Sequence, residues 1–187
     1  MITHNKSIAV FDSGLGSLSV IRGIRSQISK ENIIYFADKI NFPYGKKSVD
    51  ELEKIMSDTI RILSSLSPKI IVVASITPSI QLLSKLKSRS TIPILGVSIP
   101  LKEASNITKK KHIGILGTNS TIKSRHLDEL IRSQVPQDIF VSRFDASQII
   151  EIIEKGIFLK NKELTITTIW RALESMKETN VDVLVLS

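Results

Sequence analysis

The sequence has 187 residues, of which 42% are apolar and 24% are charged, a balance typical of a soluble globular protein and not of a disordered chain. It contains no cysteine, which excludes a disulfide framework, a thiolate zinc site, an iron–sulfur cluster and a thiol nucleophile. The net charge of +8 is spread along the chain without interleaved aromatic residues, so a lysine-rich solvated surface is favoured over a nucleic-acid interface.

The length predicts one domain or two small ones. No apolar stretch reaches the ~20 residues that a membrane-spanning helix needs. The first residues lack the hydrophobic region of a signal peptide. We therefore expect a cytoplasmic protein with no membrane partner.

Strands and helices are predicted to alternate from the start of the chain. The apolar run 8–11 predicts a first strand, and 32–36 predicts a second, buried strand. Between them lies a helix with apolar residues at helical spacing, namely Leu18, Ile21, Ile24 and Ile28. The segment 38–45 is predicted to be a long irregular loop.

The strongest strand signal follows the next helix. Ser48 and Glu51 form a capping-box pattern that predicts the start of a helix over 48–66. The run 70–74 is apolar and does not alternate, which predicts a central strand of a parallel sheet. Pro78 suits the first turn of the helix after it.

The second half of the chain repeats this plan. A strand at 111–117 leads through a small-residue turn into one helix that carries Ile122, Leu127, Leu130 and Ile131. A strand at 139–141, a long helix over 166–176 and a strand at 181–186 complete the repeat.

The predicted fold class is α/β, with two pseudo-symmetric units of mostly parallel sheet flanked by helices. The units meet near 92–100, and we assign the domains as 1–96 and 97–187. By internal comparison the second unit lacks a counterpart of the turn and helix that follow 70–74. We therefore expect it to be truncated after Ser187.

The loops at the carboxyl ends of the strands are rich in hydroxyl and small residues, and ligands bind at that edge of an open parallel sheet. Backbone N–H groups at the helix N-termini could bind a carboxylate or phosphate there. Serine and threonine at these positions also serve as helix caps. Asp12 is the best candidate for a functional carboxylate, and its alternative role is that of a turn residue or helix cap.

Neither a nucleotide cofactor nor a metal is predicted. The segment 14–16 suggests a dinucleotide-binding fingerprint, but Ser19 occupies the place of its third glycine, and no acidic residue ends the second strand at the required spacing. His4, His112 and His126 share no metal-ligand spacing.

Motifs along the whole chain resemble those of the glutamate racemases. The segment 8–18 resembles the opening of that family, and 71–79 resembles its first catalytic segment. Three further matches follow the same order: 35–38 together with 43–48, the mid-chain substrate loop at 114–124, and 183–187, which resembles the strand leading into the second catalytic segment.

The resemblance implies a cofactor-independent enzyme that interconverts L- and D-glutamate with two cysteines, one on each face of the substrate, and a place in cell-wall biogenesis. It implies that Asp12 and Ser13 support the first acid/base and the amino end of a small acidic amino acid. For other residues it implies that Pro43, Tyr44 and Gly45 line the pocket, that Thr77, Thr118 and Thr121 bind substrate, and that Glu154 matches a supporting acid of the second half.

The sequence departs from this family pattern at the catalytic positions. Ser75 stands where the family has its first cysteine, Ile76 replaces a substrate-binding asparagine, and Pro78 replaces a small residue. The second cysteine would follow Ser187. A thiol has a pKa of ~8.5, a serine hydroxyl is a much weaker acid, and each lost pKa unit costs ~1.4 kcal/mol. We therefore expect two-base racemisation to be lost or very slow.

Three functions stay open at this point. The favoured one is a glutamate racemase family protein, catalytically impaired or inactive, with glutamate or a similar small acid as ligand and a homodimer as its assembly. The second is a non-catalytic protein that binds small acids or regulates on the same scaffold. The third, a nucleic-acid binder, depends on the net charge alone.

Overall fold

The computed structural model describes residues 7–187. The chain divides into two compact units, Met1–Ser98 and Ile99–Ser187. One sheet has the strand order β2 (Ile33–Ala37), β1 (Ile8–Asp12), β3 (Ile70–Val73), β4 (Ile94–Gly96). The other has the order β6 (Phe140–Asp145), β5 (His112–Gly117), β7 (Val183–Leu186), and every pair of neighbouring strands is parallel. The predicted α/β class with parallel sheets is therefore confirmed, while the domain assignment of 1–96 and 97–187 stays a prediction.

The first unit is a four-stranded parallel sheet with helices on both faces. The apolar face of α1 (Ser17–Gln27) packs on one side of the sheet, and α2 (Val49–Ser65) and α3 (Ile76–Ser88) pack on the other. Its elements are β1 (Ile8–Asp12), α1 (Ser17–Gln27), β2 (Ile33–Ala37), a short 3-10 helix (Tyr44–Lys46), α2 (Val49–Ser65), β3 (Ile70–Val73), α3 (Ile76–Ser88) and β4 (Ile94–Gly96).

The structure confirms the central position of β3, which lies between β1 and β4. The helix start at Ser48 is also confirmed, because its side chain accepts a hydrogen bond from the Glu51 backbone N–H. The expectation that the second strand is buried is wrong. β2 is the edge strand of the sheet, so its side chains are only partly covered, and Tyr35 is 38% exposed.

The second unit is built around β5, the central strand of a three-stranded sheet. Ile113 and Ile115 of this strand are fully buried. The elements are α4 (Leu101–Ile107), β5 (His112–Gly117), α5 (Asn119–Ile122), α6 (Arg125–Gln134), β6 (Phe140–Asp145), α7 (Ser147–Glu154), α8 (Ile157–Lys160), α9 (Lys162–Glu174) and β7 (Val183–Leu186).

The single helix predicted after β5 is wrong, because the chain forms two helices there. Ser124 has an extended backbone, and its side chain accepts a hydrogen bond from the Leu127 N–H, so a new helix begins after it. Within residues 7–187 no helix is both long and apolar enough to cross a membrane.

Candidate functional site

The ends of three neighbouring strands bring the candidate residues of the first unit to one edge of the sheet. Asp12 ends β1 and pairs with Ala37, the last residue of β2. Phe11 pairs with Val73, the last residue of β3. Parallel strands share their carboxyl edge, so the turns after β1, β2 and β3 all lie there.

The turn after β1 is held by its own side chains. The Ser13 N–H donates to Asp12 Oδ1 over 2.7 Å, and the Ser17 hydroxyl donates to the Gly14 carbonyl over 3.0 Å. Asp12 and Ser13 are both buried, with 6% and 4% of their surface exposed. These bonds fit the turn role of Asp12, and they leave its carboxylate in the place where the sequence predicts a functional acid.

A second buried acid, Asp38, lies beside this turn. Its backbone N–H donates to the Asp12 carbonyl over 2.8 Å, which fixes Asp38 against the end of β1. The Asp38 carboxylate accepts hydrogen bonds from the Tyr44 hydroxyl at 2.8 Å and from the Asn41 side-chain amide at 2.9 Å. Asp38 was not among the predicted site residues, although its position two residues after the predicted strand 32–36 was a usable signal.

Tyr44 links this acid to the turn after β1. Its side chain is buried in the core of the first unit, and its backbone N–H donates to Ser13 Oγ over 3.4 Å. Burial, followed by the hydrogen bond to Asp38, raises the pKa of the Tyr44 phenol far above its usual range. Tyr44 is therefore a neutral donor, and its half-buried neighbours Pro43 and Gly45 continue the same loop.

A lysine offsets part of the negative charge at this edge. Lys39 Nζ donates to the Ser13 carbonyl over 3.1 Å and lies 5.4 Å from the centre of the Phe42 ring. Two buried carboxylates and one cation therefore surround the turn after β1.

Ser75 lies at the start of α3, directly after β3. It is half-buried, its backbone is extended, and its side chain makes no capping hydrogen bond with the helix. Thr77 is buried two residues into the helix. Pro78 is the third residue of α3 and has no N–H, so this position contributes no backbone donor at the helix N-terminus.

In the second unit, Thr118 and Thr121 form one compact turn. Thr118 caps α5 by accepting a hydrogen bond from the Thr121 N–H at 3.3 Å, and its hydroxyl donates to Thr121 Oγ1 over 3.0 Å. The Asn119 N–H donates to Ser147 Oγ over 3.3 Å, so α7 begins against this turn. Glu154 ends α7, roughly 10 Å along the helix axis from Ser147 at ~1.5 Å per residue.

The structure thus joins Asp12, Ser13 and Tyr44 in the first unit and Thr118 with Thr121 in the second. Across residues 7–187, no three histidine or acidic side chains cluster as a metal site would need. His112 instead shares a hydrogen bond with Ser142 Oγ at 2.8 Å, and His4 lies outside the described residues.

Known proteins with the same fold and related sequences are racemases. A curated glutamate racemase from Bacillus cereus is 31% identical over 183 residues, which are 97% of this chain and 67% of that protein. The chain belongs to the glutamate racemase family. It spans about two thirds of the length of this relative. No family model matches the chain.

Solved structures of this family superpose well on the chain. A glutamate racemase isoform from Bacillus anthracis gives a TM-score of 0.85 at 29% identity, and the match covers 97% of this chain and 68% of the B. anthracis chain. The Escherichia coli glutamate racemase was solved with L-glutamate and the activator UDP-MurNAc-Ala. It gives a TM-score of 0.84 at 26% identity, and the match covers 97% of this chain and 69% of the E. coli chain. Glutamate racemases thus share the fold of this chain and have related sequences.

Proposed function

We propose that this member of the glutamate racemase family binds glutamate or a similar small acidic amino acid, and that its racemase activity is impaired or absent. The arrangement of Asp12, Ser13 and Tyr44 at the carboxyl edge of the first sheet carries the binding half of the proposal. The serine at position 75 carries the other half.

Charge and hydrogen bonding at the first sheet support an amino-acid ligand. The Asp12 carboxylate suits an ammonium group, while the Ser13 hydroxyl and the N–H groups at the start of α3 suit carboxylates. Thr77 adds a hydroxyl in the first unit, and Thr118 and Thr121 add two in the second. Pro43 and Gly45 would line the pocket, and Glu154 would assist as an acid. An E. coli relative has been solved with L-glutamate, which fits the same ligand class.

The chemistry of Ser75 supports the loss of proton transfer. A cysteine at this position would have its thiolate stabilised by the N-terminus of α3. A serine hydroxyl stays protonated unless an adjacent base removes its proton. The acid predicted to support it is Asp12, and a carboxylate is in general too weak a base to abstract a hydroxyl proton at neutral pH.

Cofactor independence, a cytoplasmic location, a homodimeric assembly and a role in cell-wall biogenesis belong to the same proposal. The alternative is a small-acid-binding or regulatory protein without any catalytic role. It is favoured by the same buried hydroxyls and by Ser75, and the two candidates differ only in whether slow racemisation remains.

Calorimetric titration of the purified chain with L-glutamate, D-glutamate and glutamine tests the binding half. We expect heat from the glutamates and a weaker response to glutamine, and we expect Ser13→Ala to lower the glutamate affinity. If neither L-glutamate nor D-glutamate produced heat, that result would contradict glutamate binding. The circular dichroism of a D-glutamate solution should change very slowly or not at all over hours with the protein present, and a rapid decay of that signal would contradict the impairment of activity.

A further inference from the structure

Asp38 is a buried acid whose role the proposed function leaves open. Only 5% of its surface is exposed, and its carboxylate accepts hydrogen bonds from the Tyr44 hydroxyl and from the Asn41 side chain. A buried carboxylate is costly unless such donors satisfy it. All of these donors are neutral, so the hydrogen bonds stabilise the Asp38 carboxylate without neutralising its negative charge.

A continuous set of hydrogen bonds leads from Asp38 to the turn after β1. The Asp38 carboxylate holds the Tyr44 hydroxyl at 2.8 Å, and the Tyr44 N–H reaches Ser13 Oγ at 3.4 Å. The Ser13 N–H in turn donates to Asp12 Oδ1 at 2.7 Å. The Asp38 N–H also donates to the Asp12 carbonyl at 2.8 Å, which fixes the other end of this arrangement.

The packing of Tyr44 allows it to transmit this constraint. Only 1% of its surface is exposed, and it belongs to the same buried core cluster as Phe11, Leu52 and Met56. A ring held at both ends by packing and by a hydrogen bond has little freedom, so its backbone N–H is fixed against Ser13.

The consequence for Ser13 is directional. A hydroxyl carries one donor hydrogen and accepts with its lone pairs. Because Ser13 Oγ accepts from the Tyr44 N–H, its own hydrogen is directed away from Tyr44 and is available to a ligand carboxylate.

We propose that Asp38 is a positioning residue for the acidic ligand, acting through Tyr44 to orient the Ser13 hydroxyl. This inference rests on the proposed function, since it concerns the same ligand. It adds a role for Asp38, a residue that belongs to the motif 35–38 but has no role assigned to it by that motif or by the hydroxyl-rich loops.

The first test compares glutamate affinity by calorimetry in the full chain and in Asp38→Asn. Asparagine keeps the size of the side chain but turns an N–H₂ group towards one of the donors, so the arrangement breaks. We expect an affinity loss of about tenfold, the effect of one misoriented hydrogen bond to a charged group. Asp58→Asn, at an exposed acid paired with Arg61 on α2, is the matched control and should stay within about twofold.

A double-variant comparison separates positioning from general loss of stability. If Asp38 acts through Ser13, then Asp38→Asn made in a Ser13→Ala background should cost less than about twofold further affinity. A full tenfold loss in that background would overturn the inference, as would an unchanged affinity in Asp38→Asn itself. Should Asp38→Asn not fold, Tyr44→Phe removes the same hydrogen bond and should give the same pattern.

A ligand-free measurement keeps this inference distinct from the proposed function. The backbone amide resonances of Ser13 and Tyr44 should shift in the NMR spectrum of Asp38→Asn and stay in place in Asp58→Asn. Resonances that do not move would overturn the positioning role. If they move while no form of the chain binds glutamate, the proposed function fails and the structural link from Asp38 to Ser13 stands.

Discussion

Replacing Tyr44 with phenylalanine removes one hydroxyl from the core and leaves the ring that fills it. The hydroxyl donates to the Asp38 carboxylate, and both groups are buried, with 1% and 5% of their surface exposed. A hydrogen bond to a charged group contributes about 1.5–3 kcal/mol, and water cannot easily replace this donor. The Asn41 donors stay, so we expect a loss of about 2 kcal/mol in the free energy of unfolding.

Urea unfolding measures this loss. With a slope of about 2 kcal/mol per molar urea, the midpoint for Tyr44→Phe should fall by about 1 M. Tyr35→Phe is the matched control, because its hydroxyl also shares a hydrogen bond, with Ser17 Oγ at 2.9 Å, but lies on a side chain that is 38% exposed. We expect a loss below about 1 kcal/mol there. Equal losses for the two variants would refute the argument that burial and a charged acceptor together give the Asp38–Tyr44 bond its strength.

Three further predictions concern the second unit. Thr118→Ala removes the side chain that caps α5 and should cost about 1 kcal/mol by urea unfolding, while Thr118→Ser should restore most of it. The Asp182 pKa is lowered to about 2, chiefly by the Thr108 hydroxyl, so its stabilisation is present above its ordinary pKa of about 3.9 and is lost as pH falls towards 2. The melting temperatures of wild type and Asp182→Asn should therefore differ most above about pH 5 and converge near pH 2, and a constant gap would contradict this assignment. Gly114→Ala places a Cβ 2.7 Å from the Leu184 side chain and should destabilise by about 1–3 kcal/mol, so an unchanged midpoint would show that Leu184 moves aside freely.

Sequence patterns predicted much of the fold because each helix or strand depends largely on the apolar and capping residues within its own segment. The run at β3 is apolar and unalternating, which is how a strand covered on both faces must read, and it is central in the sheet. β2 has nearly the same composition but lies at an edge. The strand order depends on the path of the crossover connections between strands, and the residues of β2 themselves do not determine it. β4 is only three residues long, so the sequence pattern of 92–100 indicates a linker, and only the pairing of β4 with β3 in the structure identifies a strand there.

The candidate site was partly predictable for a related reason. Asp12 and Ser13 directly follow a strand, and the carboxyl edge of a parallel sheet is where ligands bind, so their place follows from the strand pattern. The contribution of Asp38 depends on the loop after β2 folding back until the Tyr44 hydroxyl reaches its carboxylate. Such a contact between residues of an irregular loop leaves no periodic signal in the sequence.

The family resemblance predicts that Ser75 stands at the position of the family's first cysteine, and it says nothing of the surroundings of that residue. The structure adds that Ser75 begins α3 with a side chain that makes no capping bond with that helix, at the edge where the turn after β1 also lies. A cysteine in this place would lie at a helix N-terminus, which lowers the pKa of a thiol.

Exchange of the glutamate α-proton with solvent deuterium tests most directly whether Ser75 occupies the place of the family's first catalytic cysteine. In D₂O, a thiolate at position 75 would take the α-proton from one enantiomer, exchange it with solvent and return a deuteron to the same face. We predict no exchange by the wild-type chain and exchange into one enantiomer only by Ser75→Cys, followed by NMR of the α-proton signal. Exchange by the wild type, or none by a folded, glutamate-binding Ser75→Cys chain, would contradict this account.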